Sequence, residues 1–100
     1  MNAVFEALAH PTRRAILELL KHGARNAGDL ATAFDISKPT LSAHLVKLSN
    51  AKLIQASRKG TMIFYSINLS LLEEVMMGFL SCLNVKTDVE QTRGFYNVEE

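Results

Sequence analysis

The chain has 100 residues, 48% of them hydrophobic, and a formal net charge of +1, which fits one small domain with a modest core. No apolar run reaches the roughly 18 residues that a membrane span takes, and no basic segment followed by an apolar run opens the chain, so neither a span nor a secretory signal is expected. The single cysteine, Cys82, excludes an intramolecular disulfide and fits a reducing cytoplasm.

Asn2 to Ala9 carries Val4, Phe5 and Leu8 at helical spacing, which predicts a short first helix. Pro11 suits the start of a helix better than its interior, so the chain breaks near His10 and a second helix begins there. Ile16, Leu19 and Leu20 give this helix a buried side; Arg13, Arg14, Glu18 and Lys21 give it a wet one, and Gly23 is its expected C-cap. His10 belongs at the helix boundary rather than in a catalytic or metal site. Asn26 to Phe34 reads as a third helix with Leu30, Ala31 and Phe34 inward and Asp29 at the positive end of its dipole. Asp35 and Ile36 make a tight connection, with Ala31 small at the helix crossing and Ile36 plugging the corner.

The fourth helix, S-K-P-T-L-S-A-H-L-V-K-L from Ser37 to Leu48, organises the rest. Ser37 is a good N-cap and Pro39 falls in the first turn, where its missing N–H costs little. Leu41, Leu45 and Leu48 form one apolar stripe, with His44 at its border. Lys38, Pro39, Thr40, Ser42, Ala43, Val46 and Lys47 cover the remaining surface with small, polar or basic groups and no carboxylate. This pattern fits a helix lying in a groove of DNA, and equally an ordinary amphipathic surface helix. Helix, short turn and second helix with an exposed face is the helix-turn-helix arrangement.

Beyond Leu48, Ile54–Ser57 and Met62–Ile67 read as two antiparallel strands joined by a loop centred on Gly60. Beside a helix-turn-helix such a ribbon is a wing, with Arg58 and Lys59 at its tip; the alternative is a plain hairpin whose cations keep an edge soluble. Five cations and no Asp or Glu lie between Ile36 and Leu72, whereas beyond Asn84 two cations face four carboxylates. Such segregation points to a polyanion contact in the middle segment, or to a solvated basic face.

Ser70 to Leu83 is the last strong helix, with Ser70 and Glu73 spaced as a capping box. Leu71, Leu72, Val75, Met76, Phe79, Leu80 and Leu83 cover too much of its circumference for packing on one small domain, so a dimer interface shared with the first helix is expected. Val4, Phe5, Leu8, Leu72, Val75, Met76, Phe79, Leu80 and Leu83 are its candidate residues; a Met-rich groove for a small ligand or peptide is the alternative. The fold class is thus mainly α with a small β-hairpin (α+β), a winged helix-turn-helix in the order α-α-α-α-β-β-α. Residues 1–84 form the DNA-binding and dimerisation domain and residues 85–100 a polar tail, in which Phe95 and Tyr96 have no assigned role.

Three motifs resemble the ArsR-type winged-helix repressors: F-E-A-L-A-H-P-T-R-R-A-I-L (Phe5 to Leu17), S-K-P-T-L-S-A-H-L-V-K-L, and R-K-G-T-M-I-F-Y-S-I (Arg58 to Ile67). They stand in the family's order and spacing, and S-K-P with R-K-G is most similar to the sporulation-delay autorepressor branch. The resemblance implies a cytoplasmic homodimer that binds double-stranded DNA at an inverted-repeat operator and represses its own operon. By the same resemblance, base reading falls on Lys38, Pro39, Ser42, Ala43 and His44, and wing contacts on Arg58, Lys59 and Gly60. Lys38, Lys47, Arg58 and Lys59 are expected to neutralise phosphates, and Thr40, Ser42 and His44 to do most of the sequence reading, beside Ser37 at the helix start. Many relatives carry a polar residue where this chain has Ala43, which can touch only a thymine methyl. Relief of repression through a membrane-bound anti-repressor is implied by the resemblance alone.

No cofactor is expected. The third helix lacks a Cys-x-Cys pair, the last helix offers only adjacent Glu73 and Glu74, and His10, His22 and His44 lie on separate elements, so no zinc, nickel or arsenic site is expected. Cys82 reads as a buried, inert residue. An interaction module that keeps the fold without binding DNA is the competing reading. An enzyme is not supported, since no Ser/His/acid grouping, paired carboxylates or Gly-rich phosphate loop is present.

Overall fold

Five helices and a small antiparallel sheet follow in the order α1 (Asn2–Leu8), α2 (Pro11–Leu20), β1 (Arg25–Asn26), α3 (Ala27–Phe34), α4 (Lys38–Asn50), β2 (Ile54–Lys59), β3 (Met62–Ile67) and α5 (Leu69–Cys82). This computed structural model describes residues 2–84; the expectations for Phe95, Tyr96 and the acidic end lie outside the described residues. The sheet order is β1-β3-β2, so the wing hairpin carries a third strand of two residues that the sequence pattern does not announce. A two-residue strand has no alternation to betray it. Its Asn26 pairs with Phe64 and also caps α3, accepting from the Asp29 N–H at 2.8 Å. One asparagine therefore turns the chain from the sheet directly into the helix-turn-helix.

The core is built from Val4 and Ala7 of α1, Ile16, Leu17 and Leu20 of α2, Leu30 of α3, and Leu41, Leu45 and Leu48 of α4, closed by Ala51, Leu53 and Ile54. The α4 stripe is buried as its spacing predicts. Leu17, absent from the expected stripe of α2, is buried as well, while Leu19 is only half-buried.

Two tight ends hold α3 and α4 in place. Asp35 adopts a left-handed conformation (φ 52°) after α3, with Ile36 N–H donating to Ala31 O at 3.2 Å and Asp35 N–H to Thr32 O at 3.3 Å. After α4 the same pattern recurs around Lys52 (φ 66°), where Leu53 N–H donates to Leu48 O at 3.0 Å and Lys52 N–H to Ser49 O at 2.9 Å. Both are Schellman closures, which satisfy the last carbonyls of a helix and turn the chain sharply.

Three cap expectations are corrected. Gly23 is not the cap of α2: that place is taken by Lys21 in a right-handed conformation, and Gly23 (φ 139°) lies two residues farther on. Ser70 and Glu73 do not form a capping box, because Asn68 caps α5 by accepting from Leu71 N–H at 3.3 Å. Asn68 is preferred because its backbone N–H already donates to Leu53 O at 2.8 Å and its amide to Lys52 O at 3.2 Å, so the helix start is anchored before Ser70 is reached. Asn26, expected inside α3, stands before it as the cap. Cys82, expected to be buried, is exposed at the last turn of α5, because no residue of that helix is fully buried in the single chain.

Candidate nucleic-acid interface

The start of α4 is fixed locally. Ser37 Oγ accepts from the Thr40 N–H at 3.3 Å and donates to Thr40 Oγ1 at 3.0 Å, and Pro39 follows within the first turn. With Leu41, Leu45 and Leu48 turned inward, Lys38, Pro39, Thr40, Ser42, Ala43, Val46 and Lys47 are all exposed. The helix thus presents a low cationic surface without a carboxylate, as the periodicity predicts.

The wing differs from expectation in one useful respect. β2 runs through Lys59 instead of ending at Ser57, with Arg58 opposite Ile63 and Lys59 opposite Met62. The connection shrinks to Gly60 and Thr61. The positive φ falls on Gly60 (62°) and not on Thr61, the pattern of a type II′ hairpin turn. Because successive strand residues point to opposite faces, Arg58 and Lys59 cannot lie side by side. Arg58 shares a face with Ile54, Ala56 and their partners Ile67 and Tyr65, the side turned to the helices; Lys59 shares the outer face with Ser57 and Phe64.

Between wing and helices lies an open cleft of about 380 Å³, lined by Asn26, Ala27, Gly28, Lys38, Thr61, Met62, Ile63 and Tyr65. The N-terminal ends of α3 and α4 both reach it, and helix N-termini favour anionic groups through their free N–H groups and dipoles. Asn26, Gly28, Thr61 and Tyr65 do not stand out in the sequence as site residues. The available signal is the Asn-x-x-Asp cap of α3, which places that helix start beside the wing only once the two-residue β1 is known.

His44 is half-buried at the edge of the α4 stripe. Its ring lies 4.6 Å from that of His10, centroid to centroid, and its Nδ1 is 3.2 Å from Arg13 Nη1. Burial first, then the neighbouring His10 and the Arg13 cation, hold the His44 pKa below the usual imidazole value. His10 is the α2 cap, as its position predicts, accepting from Thr12 N–H through Nδ1 at 3.1 Å. Arg14 lies on the wet face of α2 as expected, whereas Arg13 is half-buried, and both reach back to α1. Arg13 Nε donates to Ala7 O at 2.7 Å, Arg13 Nη2 to Glu6 O at 3.0 Å, and Arg14 Nη1 to Leu8 O at 2.7 Å. The two guanidinium groups therefore close the C-terminal end of α1, where cations complement the helix dipole.

The expected interface residues divide by burial. Val4 is buried in the protomer core, while Leu8, Leu72 and Val75 pack partly against it. Phe5, Met76 and Leu80 are half-buried, and Phe79 and Leu83 are exposed together with Met77. Among the described residues no group of three or more His, Cys, Asp or Glu side chains is placed to hold a metal ion.

Comparison with known proteins agrees with this arrangement. The helix-turn-helix domain family matches residues 8–55. The chain is 48% identical over 84 residues to the transcriptional repressor SdpR of Bacillus subtilis, covering 84% of this chain and 93% of that one. It is 32% identical over 75 residues to the arsenical resistance operon repressor of Staphylococcus xylosus, covering 75% and 72% of the two chains. A crystal structure of an ArsR family transcriptional regulator superposes with a TM-score of 0.69 at 27% identity, over 85% of this chain and 97% of that one. The homodimeric winged helix-turn-helix DNA-binding domain Mb0332 of Mycobacterium bovis superposes with a TM-score of 0.65 at 35% identity, over 77% of each chain. The capped α3–α4 unit, the wing beside it and this extent of likeness together establish that the chain belongs to the ArsR family of winged helix-turn-helix transcriptional repressors, DNA-binding regulators rather than enzymes.

Proposed function

We propose that the chain acts in the cytoplasm as a homodimeric repressor that binds an inverted-repeat operator and shuts off its own operon. The observation that carries this reading is the exposed, carboxylate-free face of α4, whose Lys38 lines one cleft with Thr61, Met62 and Ile63 of the wing. In the dimer two α4 helices stand about 34–36 Å apart, one turn of duplex, and enter successive major grooves on one side of the DNA. Thr40, Ser42 and His44 read base edges, Pro39 and Ala43 make apolar contacts, and Ser37 and Gly60 bring backbone close to the duplex. Lys38, Lys47, Arg58 and Lys59 neutralise phosphates. One strand's sugar–phosphate chain runs through the cleft between wing and α3, past Asn26, Gly28 and Thr61.

Residues 1–84 form the DNA-binding and dimerisation unit. Two copies join through α1 and α5, with Phe5, Met76, Phe79, Leu80 and Leu83 at the seam and Val4, Leu8, Leu72 and Val75 supporting it from within. Supporting the dimer is the homodimeric state of the Mycobacterium bovis relative, together with a 14-residue α5 none of whose residues is fully buried in the single chain. No helix of the described residues is long and apolar enough to cross a membrane. Capture by a membrane-bound anti-repressor, which the family resemblance implies, finds no support in the described residues.

Footprinting of the region upstream of the chain's own gene tests the reading. Two protected half-sites on one face of the duplex are expected. A dimer that protects no part of that region, yet protects another promoter, removes autorepression; protection of no fragment at low salt removes the whole reading.

A further inference from the structure

We propose that Arg13 is a positioning residue for the recognition helix, joining the neutral His44 ring on α4 to the last carbonyls of α1, so that the reading head is set only while that ring is uncharged. The inference rests on the DNA-binding reading above and extends it to how the helix is held.

Hydrogen-bond chemistry leaves little choice at this junction. A guanidinium has five donors and no acceptor. Two donors of Arg13 are committed to Ala7 O and Glu6 O, at 2.7 and 3.0 Å, and a third faces His44 Nδ1 at 3.2 Å. That nitrogen must therefore accept, which requires the neutral ring with its proton on Nε2. His10 is bound by the same logic, because its own Nδ1 accepts from Thr12 N–H. Two imidazoles, each with its Nδ1 committed as an acceptor, thus stand 4.6 Å apart, tilted by 57°. A proton on His44 Nδ1 would set N–H against N–H and place a second cation beside Arg13.

The surrounding charges sharpen the response. The charged or titratable groups of the elements packed on α4 are Glu6 on α1, Arg13, Arg14 and Glu18 on α2 with His10 at its cap, Asp29 on α3, Arg58 and Lys59 on β2, and Lys38 and Lys47 on α4 itself. Glu6 meets Arg13 through its backbone carbonyl, and Glu18 lies farther along α2 from the junction, in a groove with His22. The groups in direct contact with the His44 ring are thus a guanidinium and a second imidazole, and both oppose its protonation. The lowered His44 pKa agrees with that geometry. Arg13 spans three helices, so loss of its third hydrogen bond removes the polar tie that sets α4 against the end of α1, while the apolar packing of Val4 and Ala7 in the shared core stays in place.

The experiment has two arms. In the free protein, NMR titration follows the His44 ring. The wild-type His44 midpoint is expected below the usual imidazole value of about 6.5, moving up in Arg13→Gln and in His10→Asn, which keeps an N-capping side chain while removing the ring. In the second arm, fluorescence anisotropy measures affinity for the duplex upstream of the chain's own gene and for a random duplex of equal length. The wild-type preference for the former is expected to fall about tenfold between about pH 7.5 and about pH 5.5. In Arg13→Gln it is expected to be reduced at least about fivefold already at the higher pH, with Arg13→Lys intermediate and helix content by circular dichroism unchanged in both. In His10→Asn, which does not depend on Arg13→Gln folding, the acid-side fall is expected to move to higher pH. Selective wild-type binding with preference and pH profile unchanged in all three variants overturns the role of Arg13 and leaves the DNA-binding reading standing. Wild-type protein that binds neither duplex overturns both.

Discussion

Phe5 and Phe79 meet edge to face, their ring centroids 5.1 Å apart and their planes at 65°. The contact joins the first and last helices into one apolar slab, and the outer side of that slab stays open: Phe79 is 39% exposed, Met77 47% and Leu83 57%. A helix with apolar groups on more than one side needs a cover on more than one side. Phe79→Ala removes the exposed part of the ring that a second copy would cover, together with the intrachain pair that holds it there, and a two-fold dimer loses that contact twice. Sedimentation equilibrium is expected to show the dimer dissociation constant rising about tenfold or more. An unchanged dissociation constant would place the seam elsewhere.

The wing cations are expected to be unequal. Arg58 lies on the strand face turned toward the helices and Lys59 on the other. Every phosphate that a cation neutralises adds about 0.9 to the steepness with which log K falls against log salt. Lys38→Ala and Arg58→Ala are each expected to flatten that dependence by about this amount, and Lys59→Ala by less. Equal slopes for Arg58→Ala and Lys59→Ala in anisotropy titrations would show that the two faces of the wing neutralise phosphate equally.

Stability is expected to depend on pH through His44. Its folded pKa is lowered, first by burial and then by His10 and Arg13, so the unfolded chain binds the proton more readily than the folded one. Where the unfolded state binds more protons, stability rises with pH. The contribution is therefore complete above the ordinary imidazole value of about 6.5 and is lost as pH falls below it toward the lowered folded value. Thermal melts recorded from neutral to mildly acidic buffer are expected to show a falling midpoint, and a shallower fall in His44→Gln. Identical pH profiles for the two proteins would contradict this assignment.

The two sides of α4 are expected to respond in opposite ways. Leu45 is 5% exposed within the core, and Val46, its neighbour in sequence, is 53% exposed. Leu45→Ala leaves a cavity and is expected to cost about 2–5 kcal/mol. Val46→Ala is expected to stay within about 0.5 kcal/mol while leaving an even smaller surface toward the duplex. Urea denaturation separates the two outcomes, and comparable losses would mean that the stripe is misplaced by a residue.

Lys52 offers a test of the closure after α4. Its φ of 66° is left-handed, a conformation that costs L-residues roughly 1–2 kcal/mol and glycine little. Lys52→Gly is expected to stabilise the fold by about 1 kcal/mol, or somewhat less after the added freedom of the unfolded chain. A lower melting temperature would show that the lysine side chain has a stabilising partner.

What could be read from the sequence was what is decided locally. Ser37, Pro39 and the leucine spacing of α4 act within a few residues, and each side chain stands where its position predicts. Pro11 and His10 mark the α1–α2 break for the same reason. The role of Arg13 was not legible, because its partner His44 is 31 residues away and its other acceptors are backbone carbonyls, which leave no mark in a sequence. Ser70 and Glu73 had the right spacing for a capping box but lost to Asn68, whose advantage is its contact with Lys52 across 16 residues. β1 went unseen because two residues carry no period, and with it went the cleft between α3 and the wing.

Asn68 has one more consequence. Two of its hydrogen bonds tie the root of α5 to Lys52 and Leu53, immediately after the recognition helix ends, and a third caps α5 itself. In a paired molecule, the bolt between subunits and the tip that probes the DNA then turn on a single stiff knuckle. Such a joint works as a calliper, so under the proposed inverted-repeat reading an operator whose half-sites stand a base pair nearer or farther is expected to bind more weakly.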